Sequence, residues 1–319
     1  MPDQNKDEKT VGEVLIAKEE RRLKREVRRA KQRIANVSRA EKMHALRLRA
    51  ETESRPKKSS AASASNSSDE MTFHIGCSGW FYWRWRGDFY PEETPTSEWF
   101  PYYASRFRTV EINASFYSWP TEATVKTWST QAGRKRFVYT VKVCELITHV
   151  KRFEETETLV QDFGFIADLL GPRMGCFLFQ LPPSIHYDPA TLEKILRQLD
   201  HKQRNVVEFR HASWWNEDVF AAFRKTGTIF CSCSGPRLPD QLVRTADDIY
   251  IRFHGTTQWY RHDYSKEELG VWTERIRQSG ARQVWAYFNN DYEGHAPRNA
   301  RLFSTLLRAW PARRRTARR

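Results

Sequence analysis

The first 70 residues contain no aromatic side chain, so all 12 Trp, 12 Tyr and 19 Phe fall in the rest of the 319-residue chain. A stretch of that length without aromatics builds little core, whereas the remainder is rich in bulky apolar surface. No apolar run approaches the ~18 residues needed to cross a bilayer, which excludes a membrane-spanning helix. Cysteine is scarce: Cys77, Cys144, Cys176, Cys231 and Cys233 are the only five. Their odd number, the lack of a framework spacing and the polar start MPDQNKDEKT argue for reduced thiols in the cytoplasm and/or the nucleus. Cys231-Ser-Cys233 is a lone C-x-C, a weak zinc signal without a second pair. Acid is missing from the far end, where Arg308 to Arg319 holds six Arg and no Asp or Glu. Residues 1–70 hold 18 Lys+Arg against 12 Asp+Glu. The two ends thus carry nearly all of the formal +14, and residues 71–307 are close to neutral.

Four segments follow from this texture. Residues 1–58 form a basic, heavily charged extension, helical from about Val11 to Ala50 and otherwise expected to be poorly ordered. Leu23, Val27, Ala30, Ile34 and Val37 step by four and three along it, until Glu41 and His44 interrupt the stripe. The pattern predicts a solvent-exposed charged helix, with a short coiled coil as the second reading. Residues 59–70 (SSAASASNSSDE) read as a flexible Ser/Ala linker. Residues 71–307 form the globular part, and 308–319 an Arg-rich tail. KREVRRAKQR and RRRTARR resemble import signals, a motif class with many false positives. Basic ends also suit non-specific contact with nucleic acid.

In the globular part, eight short apolar runs (FHIGCSG, TVEINASF, RFVYTVKV, GCFLFQL, NVVEFRH, TIFCSC, IYIRFHG and QVWAYFN) alternate with helical patterns. Strand followed by helix at roughly 30-residue spacing specifies parallel strands with right-handed crossovers, and eight such units match a closed (β/α)8 TIM-type barrel. The competing doubly wound sheet would carry a glycine-rich loop after its first strand, and GCSGWFYW is no G-x-G-x-x-G.

Strand periodicity then sorts the side chains. Glu111 with Asn113, Lys142, Glu208 with Arg210, and Arg252 with His254 oppose apolar neighbours that should face the outer helices. The polar set is therefore expected inside the barrel. Unpaired buried charge costs several kcal/mol per ion, so these groups must pair with one another or with a ligand. The plain reading is a buried salt-bridge lattice; the functional one is a polar pocket at the C-terminal mouth, where such barrels react. In the functional reading Lys142, Arg210 and Arg252 bind an anionic group. His254 carries protons with Glu208 or Glu111. Asn289 and Asn290 orient the ligand. Gln180 before Pro182-Pro183, and His211 beside Trp214 and Trp215, are further mouth candidates. The loop GWFYWRWRGDFYP, with Trp80, suits a planar or sugar ligand and equally a hydrophobic lid. Glu111, Glu208, His211 and His254 could also ligate a divalent metal, but His211 falls on the opposite face and the nearby cations would repel it. No cofactor is predicted, and a divalent metal remains the alternative.

GCSGWFYWRWRGDFYP, EINASFYSWP, VKVCELITH, FQLPPS, VEFRHASWW, YIRFHG and YFNNDYEGHAPRNA, in this order, resemble the YecE-like family, also described as domain of unknown function 72. The resemblance runs from about Phe73 to Leu307 and implies a TIM-type barrel. It carries no established catalytic role. One departure is Cys77, where the first motif usually has Thr, a change expected to alter the mouth slightly. The expectation is an acid/base enzyme, whether hydrolase, lyase or isomerase, acting on a small anionic, phosphorylated or carbohydrate-like ligand without membrane partners. The alternatives are a nucleic-acid-binding or processing factor using its basic ends, and a non-catalytic barrel.

Overall fold

The computed structural model describes the backbone of residues 4–53 and 71–309 and the side chains of 16–53 and 71–309. The linker at 59–70 and the tail beyond Ala309 lie outside the described residues. Eight parallel strands make a nearly closed barrel: β1 (Thr72–Cys77), β2 (Thr109–Ile112), β3 (Val138–Lys142), β4 (Met174–Gln180), β5 (Asn205–Glu208), β6 (Ile229–Ser234), β7 (Asp248–Phe253) and β8 (Gln283–Phe288). Each of the eight apolar runs read from the sequence holds one of them. Around them run α2 (Trp99–Ala104), α3 (Ala114–Tyr117), α4 (Glu122–Gln131), α5 (Glu157–Gly164), α6 (Ile166–Leu170), α7 (Pro189–Gln198), α8 (Glu217–Thr226), α9 (Lys266–Ser279) and α10 (His295–Arg308). Side chains at the N-caps start four of these helices: Thr121, Asp188, Asn216 and Ser265 each accept a backbone N–H from the first turn. The single helical pattern EETETLVQDFGFIADLL divides at Phe165 into α5 and α6.

Apolar material packs in two places. Val110, Ile112, Val207, Phe209, Ile251 and Phe253 point outward into the layer between strands and helices. A smaller cluster including Leu178, Val206, Cys231, Tyr250 and Tyr287 fills the inside of the barrel. The parity read from the sequence therefore holds. All five thiols are unpaired and buried.

The ladder runs from β1 through β8 round to β2, and the seam between β1 and β2 is closed differently. The Tyr103 hydroxyl accepts the Cys77 N–H (2.8 Å) and donates to the Thr109 carbonyl (3.0 Å), joining the two strands through one side chain. Gly76 makes the approach feasible, since a Cβ there would lie 2.4 Å from the Thr109 oxygen. Cys77 itself lies in the outer core, so its departure from the family pattern does not reach the mouth as expected.

The extension is more than an appendage. Helix α1 (Gln4–Glu53) spans ~75 Å at 1.5 Å per residue, and its C-terminal half docks on the barrel. Asn36 donates to the Tyr117 carbonyl (3.0 Å) and accepts the Trp119 N–H (2.9 Å). Ala40 and Met43 are buried, and Arg47 pairs with the buried Asp162 at 2.8 Å. The helix read over 11–50 is present, but its docking was not foreseen, because the docking face carries few apolar residues and relies on polar contacts.

Tyr103→Phe should cost about 1–3 kcal/mol of unfolding free energy by leaving a buried N–H and C=O unpaired. Urea denaturation measures it, and an unchanged midpoint would mean that the seam does not depend on this hydroxyl.

Candidate functional site

Three strands place their ions at one level inside the barrel. Arg252 on β7 donates through Nη2 to Glu111 Oε1 of β2 (2.6 Å) and through Nη1 to Glu208 Oε2 of β5 (2.5 Å). All three are completely buried. Glu111 also accepts from Ser78 Oγ (2.7 Å) and the Tyr250 hydroxyl (2.5 Å). Beneath them, the Tyr287 hydroxyl bonds Thr109 (2.7 Å) and Thr140 (2.9 Å). The salt-bridge lattice anticipated from the sequence is thus present, on a floor of hydroxyls. Sequence reading passed over Tyr250, although in IYIRFHG it shares the face of Arg252 and His254 by parity.

The next level up belongs to residues just past the strand ends. Arg210 pairs with Glu208, lies 3.2 Å from His254 Nε2 through Nη2, and spreads over the Trp259 ring at 4.7 Å. Asn289 Nδ2 lies 3.2 Å from His254 Nδ1, and His254 Nε2 lies 3.2 Å from Glu208 Oε1, a geometry that suits a proton on Nε2 facing the carboxylate. Burial, then Arg210 and Arg252, keep His254 well below the ordinary histidine range and hence neutral. Burial would raise the Glu208 carboxyl, but Arg210, Arg252 and the His254 hydrogen bond overcome it and hold the group well below 4.5.

Lys142, at the end of β3, donates to Gln180 Oε1 (2.7 Å) and lies 4.2 Å from the centre of the Phe116 ring. Burial first, then Arg252, bring its amine down to about 7, with Glu208 pulling the other way. His149 sits beside Gln180 and is lowered to about 4 by burial, Lys142 and Arg210. Polar atoms at this end without a hydrogen-bond partner include Asn113 Oδ1, Arg252 Nε, Trp215 Nε1, Asn290 Oδ1 and Arg210 Nε, the last in ionic contact with Glu208 but poorly aligned for a hydrogen bond.

Other candidates lie elsewhere. Asn290 is fully buried and tied to the His262 carbonyl and Asn299 (both 2.7 Å), a scaffold contact. His211 caps the turn at Ser213 and stacks on His186 at 3.7 Å. Trp80 packs edge-on against Phe100 in the outer aromatic layer. The loop after β1 is largely such a layer: Trp85 and Tyr90 are buried with Trp99 of α2, while Phe81 and Trp83 remain exposed.

The donor set nearest a metal arrangement is Glu208, Cys233 and His254, with ligand atoms within 4.8 Å of one another. It is a poor setting for a dication, because Arg210 and Arg252 already hold both Glu208 oxygens and would repel the ion. Of the four ligands considered from the sequence, Glu111 and His211 are not part of it, and Cys233 was not among them. Two surface hollows, of about 650 and 770 Å³, open at the opposite, N-terminal end of the barrel.

The family described as "Protein of unknown function DUF72" matches residues 74–318. The chain belongs to the DUF72 family. It is similar to the "UPF0759 protein YunF" of Bacillus subtilis (strain 168), 25% identical over 273 residues that make 73% of this chain and 94% of the relative. A solved DUF72 family structure from Thermotoga maritima MSB8 is 27% identical with a TM-score of 0.67, covering 74% of this chain and 99% of that one. One from Enterococcus faecalis V583, 17% identical with a TM-score of 0.64, covers 76% of this chain and 97% of that one and shows the fold alone. For this DUF72 protein the comparisons name no reaction. Among its described residues no helix is long and apolar enough to cross a membrane.

Arg252→Ala should cost on the order of 3–5 kcal/mol at neutral pH by leaving two carboxylates facing each other. Glu208, depressed in the folded state, stabilises above 4.5 and loses that contribution as pH falls through its lowered value. The deficit of the variant should therefore shrink in acid. Denaturant titrations across pH measure this, and a deficit independent of pH would sink the ionic account.

Proposed function

We propose that this DUF72 protein is an enzyme that binds a small anionic ligand, phosphorylated or carbohydrate-like, at the C-terminal rim of the barrel and transfers a proton there. The observation that carries the reading is Lys142: an amine brought to about 7 exists in both protonation states near neutrality. Arg210 stands by it as a fixed cation whose Nε is in ionic contact with Glu208, and Asn113 Oδ1 is an acceptor without a hydrogen-bond partner at the end of β2. Gln180 and Asn289 anchor Lys142 and His254 respectively and complete the polar rim. His254, Glu208 and Glu111 then act as positioning groups through Arg210 and Arg252. An anion beside Lys142 favours the charged amine, so binding and protonation reinforce each other.

The test is thermal stabilisation of the full chain by inorganic phosphate, sugar phosphates and sugar acids, with neutral sugars as controls. Anions should raise the midpoint saturably, and Arg210→Met and Lys142→Met should each abolish the rise. Lys142→Arg should keep binding yet flatten its pH dependence between about 6 and 8, since arginine cannot lose its proton. Equal responses in wild type and both Met variants would refute the reading.

A second reading is favoured by the 770 Å³ hollow at the N-terminal end, lined by Arg106, Arg108, Lys135, Arg136, Arg301 and Arg308 with no acid among its lining residues. None of the six forms an ion pair among the described residues. It adjoins the start of the Arg-rich tail, a fit for the phosphate backbone of a nucleic acid. Arg106→Glu with Arg301→Glu should then weaken binding of a single-stranded oligonucleotide and lower the slope of log K against log salt by ~0.7 per lost contact. An unchanged slope would leave the hollow out of any such binding.

A further inference from the structure

Half of the exposed large apolar side chains among the described residues lie on α1, and five of them, Ile16, Leu23, Val27, Ile34 and Val37, form one line with exposures between 46 and 74%. At 100° per residue this line runs about 135° around the helix from the docking face of Asn36, Ala40, Met43 and Arg47. The barrel therefore does not cover it and leaves room for a second helix. The spacing is that of a heptad seam: Ile16, Leu23, Ala30 and Val37 at d, Glu20, Val27 and Ile34 at a. β-Branched Val27 and Ile34 at a with Leu23 at d is the combination that favours two parallel strands.

The flanking charges select the partner. Glu19 and Glu26 occupy g, Lys24 and Lys31 occupy e. In a parallel pair each g residue meets e five positions on in the other chain, so Glu19 faces the second copy's Lys24 and Glu26 its Lys31, twice over by symmetry. An antiparallel pair would set e against e and g against g, Lys against Lys and Glu against Glu. Within one helix the same acids lean only on Arg22, at 3.0 and 3.5 Å, in exposed pairs worth little.

We propose that α1 pairs with α1 of a second copy of this chain in a parallel two-stranded coiled coil over residues 16–37, giving a closed twofold dimer with one barrel on each outer side. Polar Glu20 and small Ala30 in the seam make the pairing modest and concentration-dependent.

Sedimentation of the full chain over a wide concentration range tests it. The expected result is a monomer–dimer equilibrium that Val27→Glu with Ile34→Glu abolishes while the barrel keeps its melting midpoint. Glu19→Lys with Glu26→Lys, and separately Lys24→Glu with Lys31→Glu, should each weaken the dimer by more than about tenfold, and mixing the two variants should restore it as a heterodimer. A chain that stays monomeric throughout overturns the proposal. So does a dimer indifferent to Val27 and Ile34, or a pair of charge variants that fail to recombine.

Discussion

The bridging of Glu111 and Glu208 by Arg252 governs the rest of the barrel. Three charges without solvent are tolerable only when they pair, and here the two carboxylates collect Arg252, Ser78, Tyr250, Arg210 and His254 between them, although Arg252 Nε has no hydrogen-bond partner. Such bonds are directional, so they tie β2, β5 and β7 to one height. Aliphatic layers would fill the space with less demand on register. Orientation of everything above follows from that level. Arg210 is fixed because Glu208 is fixed, and the His254 ring is held between Glu208 on one side and Asn289 on the other.

Two guanidiniums cannot shed a proton, so a third cation close by is tolerable only if it can. This is the physical case for lysine at position 142. Its amine relieves the repulsion from Arg252 and the cost of burial by becoming neutral near physiological pH. Burial first, and the cations of the lattice second, thereby bring the acidity of Lys142 toward neutrality, which ties the proposed chemistry to the packing of the barrel.

Much of this was legible because strands repeat every two residues. VEINASF, VVEFRH and YIRFHG alternate so strictly that the ionic layer follows from parity alone, and Tyr250 was readable by the same rule. Other parts depend on neighbours that no local pattern announces. Nothing around Tyr103 marks its hydroxyl as the clasp between β1 and β2, and Trp259 reaches Arg210 from a loop without periodicity. Asn290 looked like its neighbour Asn289, yet one residue along the backbone turns it from the rim into the scaffold. The visible stripe on α1 is its solvent face, whereas the face that docks is anchored by an asparagine and an arginine.

Charge distribution separates the two ends of the molecule. Inside the barrel, positive and negative groups nearly balance, with Lys142 and Arg210 the cations nearest the C-terminal rim. At the N-terminal end the hollow gathers cations with no acid in its lining, a field suited to an extended polyanion. The hydroxyl floor and the ionic layer lie between the two ends. The near-neutral sum over residues 71–307 conceals this polarity, which is a property of the fold and not of the composition.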